Sequence, residues 1–181
     1  QIKSLFGRKR RLPQVYSDNE QEAAYAVRLS VNMPCQSAAS DMTLFASILN
    51  YWKMRQGILP YMPETCTVHD AVYYLADPQD VNVWVVYNIW ETCRNPDTKK
   101  YFGFEINDVS MSMDITIGRS MAEELPFIPG YDYNKMFEPD FNTDEYLEEH
   151  RKYKNIDISE YPKLYKKEIK EFEQKFYKVH G

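Results

Sequence analysis

Residues 64–76 read Glu-Thr-Cys-Thr-Val-His-Asp-Ala-Val-Tyr-Tyr-Leu-Ala, and this stretch decides the fold expected for the 181-residue chain. Its threonine, valine and tyrosine residues favour extended backbone, and His69-Asp70 interrupts them midway. We therefore predict a β-hairpin over residues 64–76 with His69-Asp70 at the turn. A carboxylate at so tight a turn is held rigidly, which makes Asp70 a candidate functional residue.

A second strand is predicted at residues 109–118, where Val, Met and Ile alternate strictly with polar residues and glycine. Period-two alternation is typical of a strand with one buried face. We expect an α+β fold in which segments 64–76 and 109–118 form one antiparallel sheet, with helices 37–55 and 78–94 packed on one face.

The helix boundaries are predicted from capping residues and prolines. A first helix is expected at residues 18–30, and Pro34 is expected to interrupt the helical pattern before a second helix at 37–55. Asp77 and Pro78 supply a helix start, which predicts a helix over 78–94. The polar segment 95–103 is expected to be a loop.

Composition suggests two units, residues 1–125 and residues 126–181. The second would comprise an extended linker at 126–142 and charged helices at 143–152 and 160–178. Hydrophobic residues make up 44% of the chain, enough for a packed core, but no apolar run is long enough to span a membrane. Three cysteines without metal-ligand spacing favour reduced thiols and a cytoplasmic location.

The charge distribution is uneven along the chain. The net charge is -5, yet residues 1–36 carry six Lys or Arg against three Asp or Glu. Residues 3–13, Lys-Ser-Leu-Phe-Gly-Arg-Lys-Arg-Arg-Leu-Pro, combine a glycine turn with basic residues, which predicts a short hairpin. Local positive charge of this kind suits contact with phosphates even in an acidic protein.

Three motifs follow one another in a fixed order. The first is Gly-Arg-Lys-Arg-Arg-Leu-Pro at 7–13. The second is Arg28-x-x-x-Asn32-x-Pro-x-Gln36, followed by Ala-Ala-Ser-Asp, and the third is Val-His69-Asp70. This order resembles the carboxyl-terminal palm of family A DNA polymerases, the group of bacterial DNA polymerase I and phage replicative enzymes. The resemblance covers residues 3 to about 118, with His69-Asp70 at the position of motif C.

The resemblance implies roles for individual residues. Asp70 would be a catalytic aspartate that binds Mg²⁺ in a two-metal site, and His69 would contact the primer end. Arg28, Asn32 and Gln36 would lie along the minor groove of the primer-template DNA, where every base pair presents acceptors. The basic residues of the first hairpin would contact phosphates; they are Arg8, Lys9, Arg10 and Arg11.

The resemblance also implies that the chain cannot polymerise deoxynucleoside triphosphates alone. The second metal-binding aspartate, in motif A, and the fingers helix would lie in an upstream portion or a partner subunit, as in a split phage polymerase. The expected location is the cytoplasm of a bacterial or phage-infected cell. Ala71 stands where the family has glutamate, and Ser37 where it has glycine, so catalytic competence is left open.

Two other functions remain open at this point. The chain could be a non-catalytic module that binds primer-template DNA within a polymerase complex, which Ala71 favours. It could also be an interaction protein whose charged tail at 143–178 docks a replication partner.

Overall fold

The structure, a computed structural model, describes residues 1–106, 111 and 113–180. Within these residues it contains six α-helices and three separate two-stranded antiparallel sheets, so mixed α and β content is confirmed. The helices are α1 Glu20–Arg55, α2 Val83–Arg94, α3 Thr98–Phe102, α4 Thr143–His150, α5 Tyr161–Leu164 and α6 Lys166–His180. The paired strands are β1 Ile2–Lys3 with β2 Lys9–Arg10, β3 Glu64–Val68 with β4 Ala71–Tyr74, and β5 Thr116–Ile117 with β6 Leu125–Pro126.

Helix α1 is one continuous helix of 36 residues, so the predicted interruption at Pro34 is wrong. A proline inside a helix removes one hydrogen bond and clashes with the preceding turn, at a cost of about 3 kcal/mol. Packing offsets this cost, because the turn at Pro13–Tyr16, strand β4 and helix α2 all pack against α1. The Asn19 side chain caps its first turn by accepting hydrogen bonds from two backbone N–H groups.

Helix α2 begins at Val83, five residues later than predicted. Residues Pro78–Asp80 form a separate 3₁₀ turn, and the Asp77 side chain does not cap it. Asn82 is the actual cap, because its Oδ1 accepts hydrogen bonds from the N–H groups of Trp84 and Val85 at 3.1 and 3.2 Å. The helix therefore starts where a side chain can satisfy its free donors.

The segment 95–103, predicted to be a loop, contains the short helix α3. Asp97 accepts a hydrogen bond from the N–H of Lys100 at 3.0 Å, and Gly103 ends the helix with a φ of 77°. This pairing of an acidic cap with a left-handed glycine is a helix signal that the sequence does carry.

The strand predicted at 109–118 is only partly described, since residues 109, 110 and 112 lie outside the described residues. Residues 113–115 are in no strand, and Thr116–Ile117 pairs with Leu125–Pro126 rather than with 64–76. The single sheet predicted from 64–76 and 109–118 is therefore wrong for the described part. Burial nevertheless alternates over 113–118 as the pattern predicts.

Two hydrophobic clusters hold the elements together. The larger cluster joins α2 to the part of the chain from residue 125 onward. It includes Ile128, Tyr133, Met136, Tyr146 and Tyr161. Residues 126–142 are thus packed, with a 3₁₀ turn at 133–137, and are not the extended linker expected from composition. The helices predicted in the tail are confirmed, with 160–178 divided into α5 and α6.

The second cluster packs Trp84 of α2 against Phe172 and Phe176 of α6. Both clusters contain residues from before and after residue 125, while the division into two units at that point stays a prediction. Among the described residues, none of the helices has the length and apolar character that crossing a bilayer requires.

Candidate active site and nucleic-acid interface

Asp70 lies at the tip of the hairpin formed by β3 and β4, as predicted. Val68 pairs with Ala71, so His69 and Asp70 alone make the turn. His69 adopts a φ of 55°, in the left-handed region where histidine is tolerated better than most residues. Both side chains are exposed. Asp70 is therefore outside the apolar core and accessible to a ligand.

The base of this hairpin is fastened to α1. The Glu64 carboxylate accepts a hydrogen bond from the Ser47 hydroxyl of α1. On the other strand the Tyr73 hydroxyl donates to Glu124 at 3.3 Å, and Tyr74 is half-buried with its hydroxyl oxygen inside the protein. Thr65 is the extra residue of a bulge, and its hydroxyl donates across the pair to the Tyr73 carbonyl at 3.2 Å. Anchors at the base and a two-residue tip give Asp70 a defined position.

A polar cluster lies beneath the hairpin, between α1 and α2. Fully buried Asn50 donates to the Cys93 sulfur at 3.4 Å, and Lys53 donates to the Thr92 hydroxyl at 2.7 Å. Burial raises the pKa of the Cys93 thiol to about 11 and that of Tyr74 to about 12. Both groups are therefore neutral near pH 7, and the cluster supports the hairpin without offering a nucleophile.

Arg28, Asn32 and Gln36 lie one turn apart on α1 and share one face. All three are exposed. In the described part of the chain none of their side chains forms a hydrogen bond or an ion pair. Because Pro34 does not interrupt the helix, they form one row about 12 Å long at 1.5 Å per residue. Such a row can follow one groove of a duplex.

The predicted basic hairpin is confirmed as β1 and β2, with Gly7 in the turn at a φ of 89°. Lys9, Arg10 and Arg11 are exposed. Arg8 forms an ion pair with Asp41 of α1, and the Ser37 hydroxyl donates to the other Asp41 oxygen at 3.3 Å. Phe6 packs edge-on against Phe102 and Phe104. The hairpin is thus fixed to α1, while its remaining basic side chains stay free to meet phosphates.

Helix α1 is the element to which all the predicted site residues are connected. It carries Arg28, Asn32 and Gln36 itself, binds the basic hairpin at Asp41 and holds the Asp70 hairpin at Ser47. In the described residues no hydrogen bond or ion pair joins Asp70 to the row on α1. Nor do the described side chains include a group of three His, Cys, Asp or Glu residues placed to hold a metal ion.

The chain is similar to a phage DNA polymerase. It is 31% identical over 172 residues to the DNA polymerase of Bacillus phage SP01, and the match covers 94% of this chain and 17% of that polymerase. The chain thus spans about one sixth of the length of this relative. No protein-family model matches the chain, and no solved structure matches it. The similarity supports a relationship to DNA polymerases.

The match to the phage polymerase reaches beyond the motifs that resemble family A polymerases. Those motifs end near residue 118, whereas an alignment of 94% of the chain must include residues of the tail. The polymerase relationship therefore extends to part of the segment after residue 125, whose packing against α2 was not visible in any motif.

Proposed function

We propose that this chain is a fragment or subunit of a family A DNA-directed DNA polymerase that completes the palm active site during DNA replication. The observation that carries the proposal is the exposed carboxylate of Asp70 at a two-residue hairpin tip. The similarity to a phage DNA polymerase supports it. A rigid, accessible carboxylate is what nucleotidyl transfer requires of a motif C aspartate.

Asp70 would supply one carboxylate ligand to Mg²⁺, a hard ion that prefers oxygen ligands and keeps several waters. When bound, two such ions stabilise the attacking and leaving oxygens of a phosphoryl transfer together. The donor set of the described residues fits this role only in part, because a single carboxylate cannot organise two ions. His69, beside Asp70 at the tip, would contact the primer terminus.

The row of Arg28, Asn32 and Gln36 would bind the minor groove of the primer-template duplex. These side chains donate hydrogen bonds, and the minor groove presents acceptors at every base pair. The contact would therefore test pair geometry without selecting a sequence. Lys9, Arg10 and Arg11 would bind phosphates of the duplex backbone, and Arg8 would do so in exchange for its ion pair with Asp41.

The remaining parts of the active site would come from an upstream portion or partner chain. That portion would carry the motif A aspartate and the fingers residues that bind the incoming deoxynucleoside triphosphate. The relative from phage SP01 has about five times more polypeptide than the matched segment, enough for such parts. The complex would bind primer-template DNA between the two portions.

A reconstitution experiment tests the catalytic claim. The SP01 polymerase without its matching segment is mixed with this chain, and primer extension is measured with Mg²⁺. We expect activity that neither chain has alone, and Asp70→Asn should return it to the level of the SP01 portion alone. Asp77→Asn, a matched loss of an exposed carboxylate that follows the hairpin and makes no cap hydrogen bond, should retain activity. Extension that is the same with wild-type chain and Asp70→Asn would show that Asp70 is not catalytic.

A non-catalytic primer-template module is the alternative, and Ala71 next to Asp70 is the observation that favours it. In that case Arg28→Ala and Gln36→Ala would weaken binding to a labelled primer-template, while Asp70→Asn would change neither binding nor extension. Each of these two substitutions removes a minor-groove contact and should weaken binding by roughly tenfold. Fluorescence anisotropy with the same duplex separates this outcome from the catalytic one.

A further inference from the structure

A group of large apolar side chains is exposed where α1 and α3 meet. Their exposed fractions lie between 39% and 48%. We call this surface the apolar face, and it consists of Leu44, Ile48, Tyr51, Trp52, Tyr101 and Phe102.

The apolar face is continuous. On α1 its residues recur at intervals of three and four, which places them on one side of the helix. The rings of Trp52 and Tyr101 lie 5.6 Å apart, and buried Phe45 contacts both Tyr101 and Phe102 at 5.3 and 4.9 Å. Six large side chains at this exposure present on the order of 500 Å² of apolar surface. That is near the upper limit for the largest patch on a monomer.

The same side of α1 is covered nearer its amino terminus. Ala26 and Met33 fall on this side at helical spacing, and both are buried. The turn at Pro13–Tyr16 packs against the helix. From Leu44 onward the described residues leave this side of the helix exposed. This side of α1 is therefore buried near the amino terminus of the helix and exposed near its carboxyl terminus. Such an exposed continuation of a buried apolar side indicates a surface that binds another polypeptide.

We propose that the apolar face docks the remainder of the polymerase, an inference that rests on the proposed function. The length of the SP01 relative argues for this occupant, because five sixths of that polymerase lies outside the matched segment. The face also leaves the DNA-binding row free. At 100° per residue its centre lies about 140° around α1 from Arg28, Asn32 and Gln36.

The composition of the face fits a protein partner. Aromatic residues are enriched at the centres of protein interfaces, and charged residues occur at their rims. Lys100 lies over the Tyr101 ring at 5.2 Å, and exposed Arg55 follows Tyr51 by one helical turn. The partner surface should therefore be apolar at its centre, with Asp or Glu at its edge to meet these two cations.

The test measures binding of this chain to the SP01 polymerase lacking its matching segment, by biolayer interferometry. Ile48→Glu and Trp52→Glu should each weaken the complex by roughly tenfold or more, as expected for central interface positions. Leu164→Glu is the matched control, because Leu164 is equally apolar and 55% exposed on α5. It should bind like the wild type. Circular dichroism establishes that each variant keeps its helical content.

Three results would overturn the proposal. One is the absence of a complex, and another is a complex that both substitutions leave unchanged. The third is self-association of the chain, detected by light scattering and removed by Ile48→Glu, which would make the face an interface between two copies. Asp70→Asn separates docking from the proposed function, because it should abolish primer extension while leaving the complex intact. If Ile48→Glu abolishes the complex while Asp70→Asn leaves primer extension unchanged, docking is upheld and the catalytic role of Asp70 is refuted.

Discussion

Replacing Trp84 with alanine should detach the carboxyl-terminal helix from the rest of the protein. Trp84 is 5% exposed, and its ring lies 5.5 Å from Phe172, 5.6 Å from Phe176 and 6.4 Å from Tyr177, all on α6. Truncating a buried tryptophan costs about 3–5 kcal/mol from lost burial and the cavity left behind. The three ring contacts are part of that loss, at roughly 0.5–1.5 kcal/mol each.

The assay is urea unfolding followed by far-ultraviolet circular dichroism. With a slope of about 2 kcal/mol per molar urea, a loss of about 4 kcal/mol lowers the midpoint by about 2 M. Hydrogen exchange should show that amides of α6 lose protection before those of α1. A double-mutant cycle with Phe176→Ala should give a coupling free energy of about 0.5–1.5 kcal/mol.

Trp52→Ala is the matched control, because the same atoms are removed from a side chain that is 42% exposed. It should cost about 1 kcal/mol, mostly through the lost contact with Tyr101. A midpoint for Trp84→Ala no lower than that for Trp52→Ala would contradict the packing of α2 against α6. So would a coupling free energy near zero between Trp84 and Phe176.

Two further predictions concern capping and alkaline pH. Asn82→Ala removes both cap hydrogen bonds at the start of α2 and should lower the free energy of unfolding by about 1 kcal/mol, whereas Asp77→Ala should change the urea midpoint little. Folding holds the protons of Cys93 and Tyr74 more tightly than the unfolded chain does, because burial raises their pKa to about 11 and about 12. The contribution of these two groups to the unfolding free energy should therefore be constant below about pH 9 and fall as pH rises from there to about 12. Urea unfolding at pH 8 and pH 11 measures this change, and equal midpoints would refute it. At pH 8 a thiol reagent should label exposed Cys35 at once and Cys93 only in urea.

The parts of the fold that sequence reasoning found are those set by local chemistry. The two-residue turn at His69-Asp70 and the glycine turn at Gly7 each join two short strands. Both predicted hairpins are confirmed. The position of Asp70 at an exposed tip followed from the same local pattern. These features depend only on the conformational preferences of neighbouring residues. They can therefore be predicted without knowing the rest of the fold.

The errors arose where distant contacts decide the outcome. Pro34 disfavours a helix locally, but packing on both sides of it keeps α1 intact. The alternation over 113–118 correctly predicts which side chains are half-buried and which are exposed, yet alternation carries no information about the partner strand. The tail at 126–142 is rich in proline and polar residues, and its burial depends on aromatic contacts with segments far along the chain.

The continuity of α1 through Pro34 changes what the site residues can do together. Two shorter helices could differ in direction, and the row of Arg28, Asn32 and Gln36 would then be independent of the hairpin that bears Asp70. One helix of 36 residues, about 54 Å long, carries the row at Arg28 to Gln36 and binds both the basic hairpin at Asp41 and the Asp70 hairpin at Ser47. The proposed function needs the primer end held at a constant place relative to Asp70, and a continuous α1 would provide that reference. The helix is thus the part of this chain whose rigidity the proposed function depends on most.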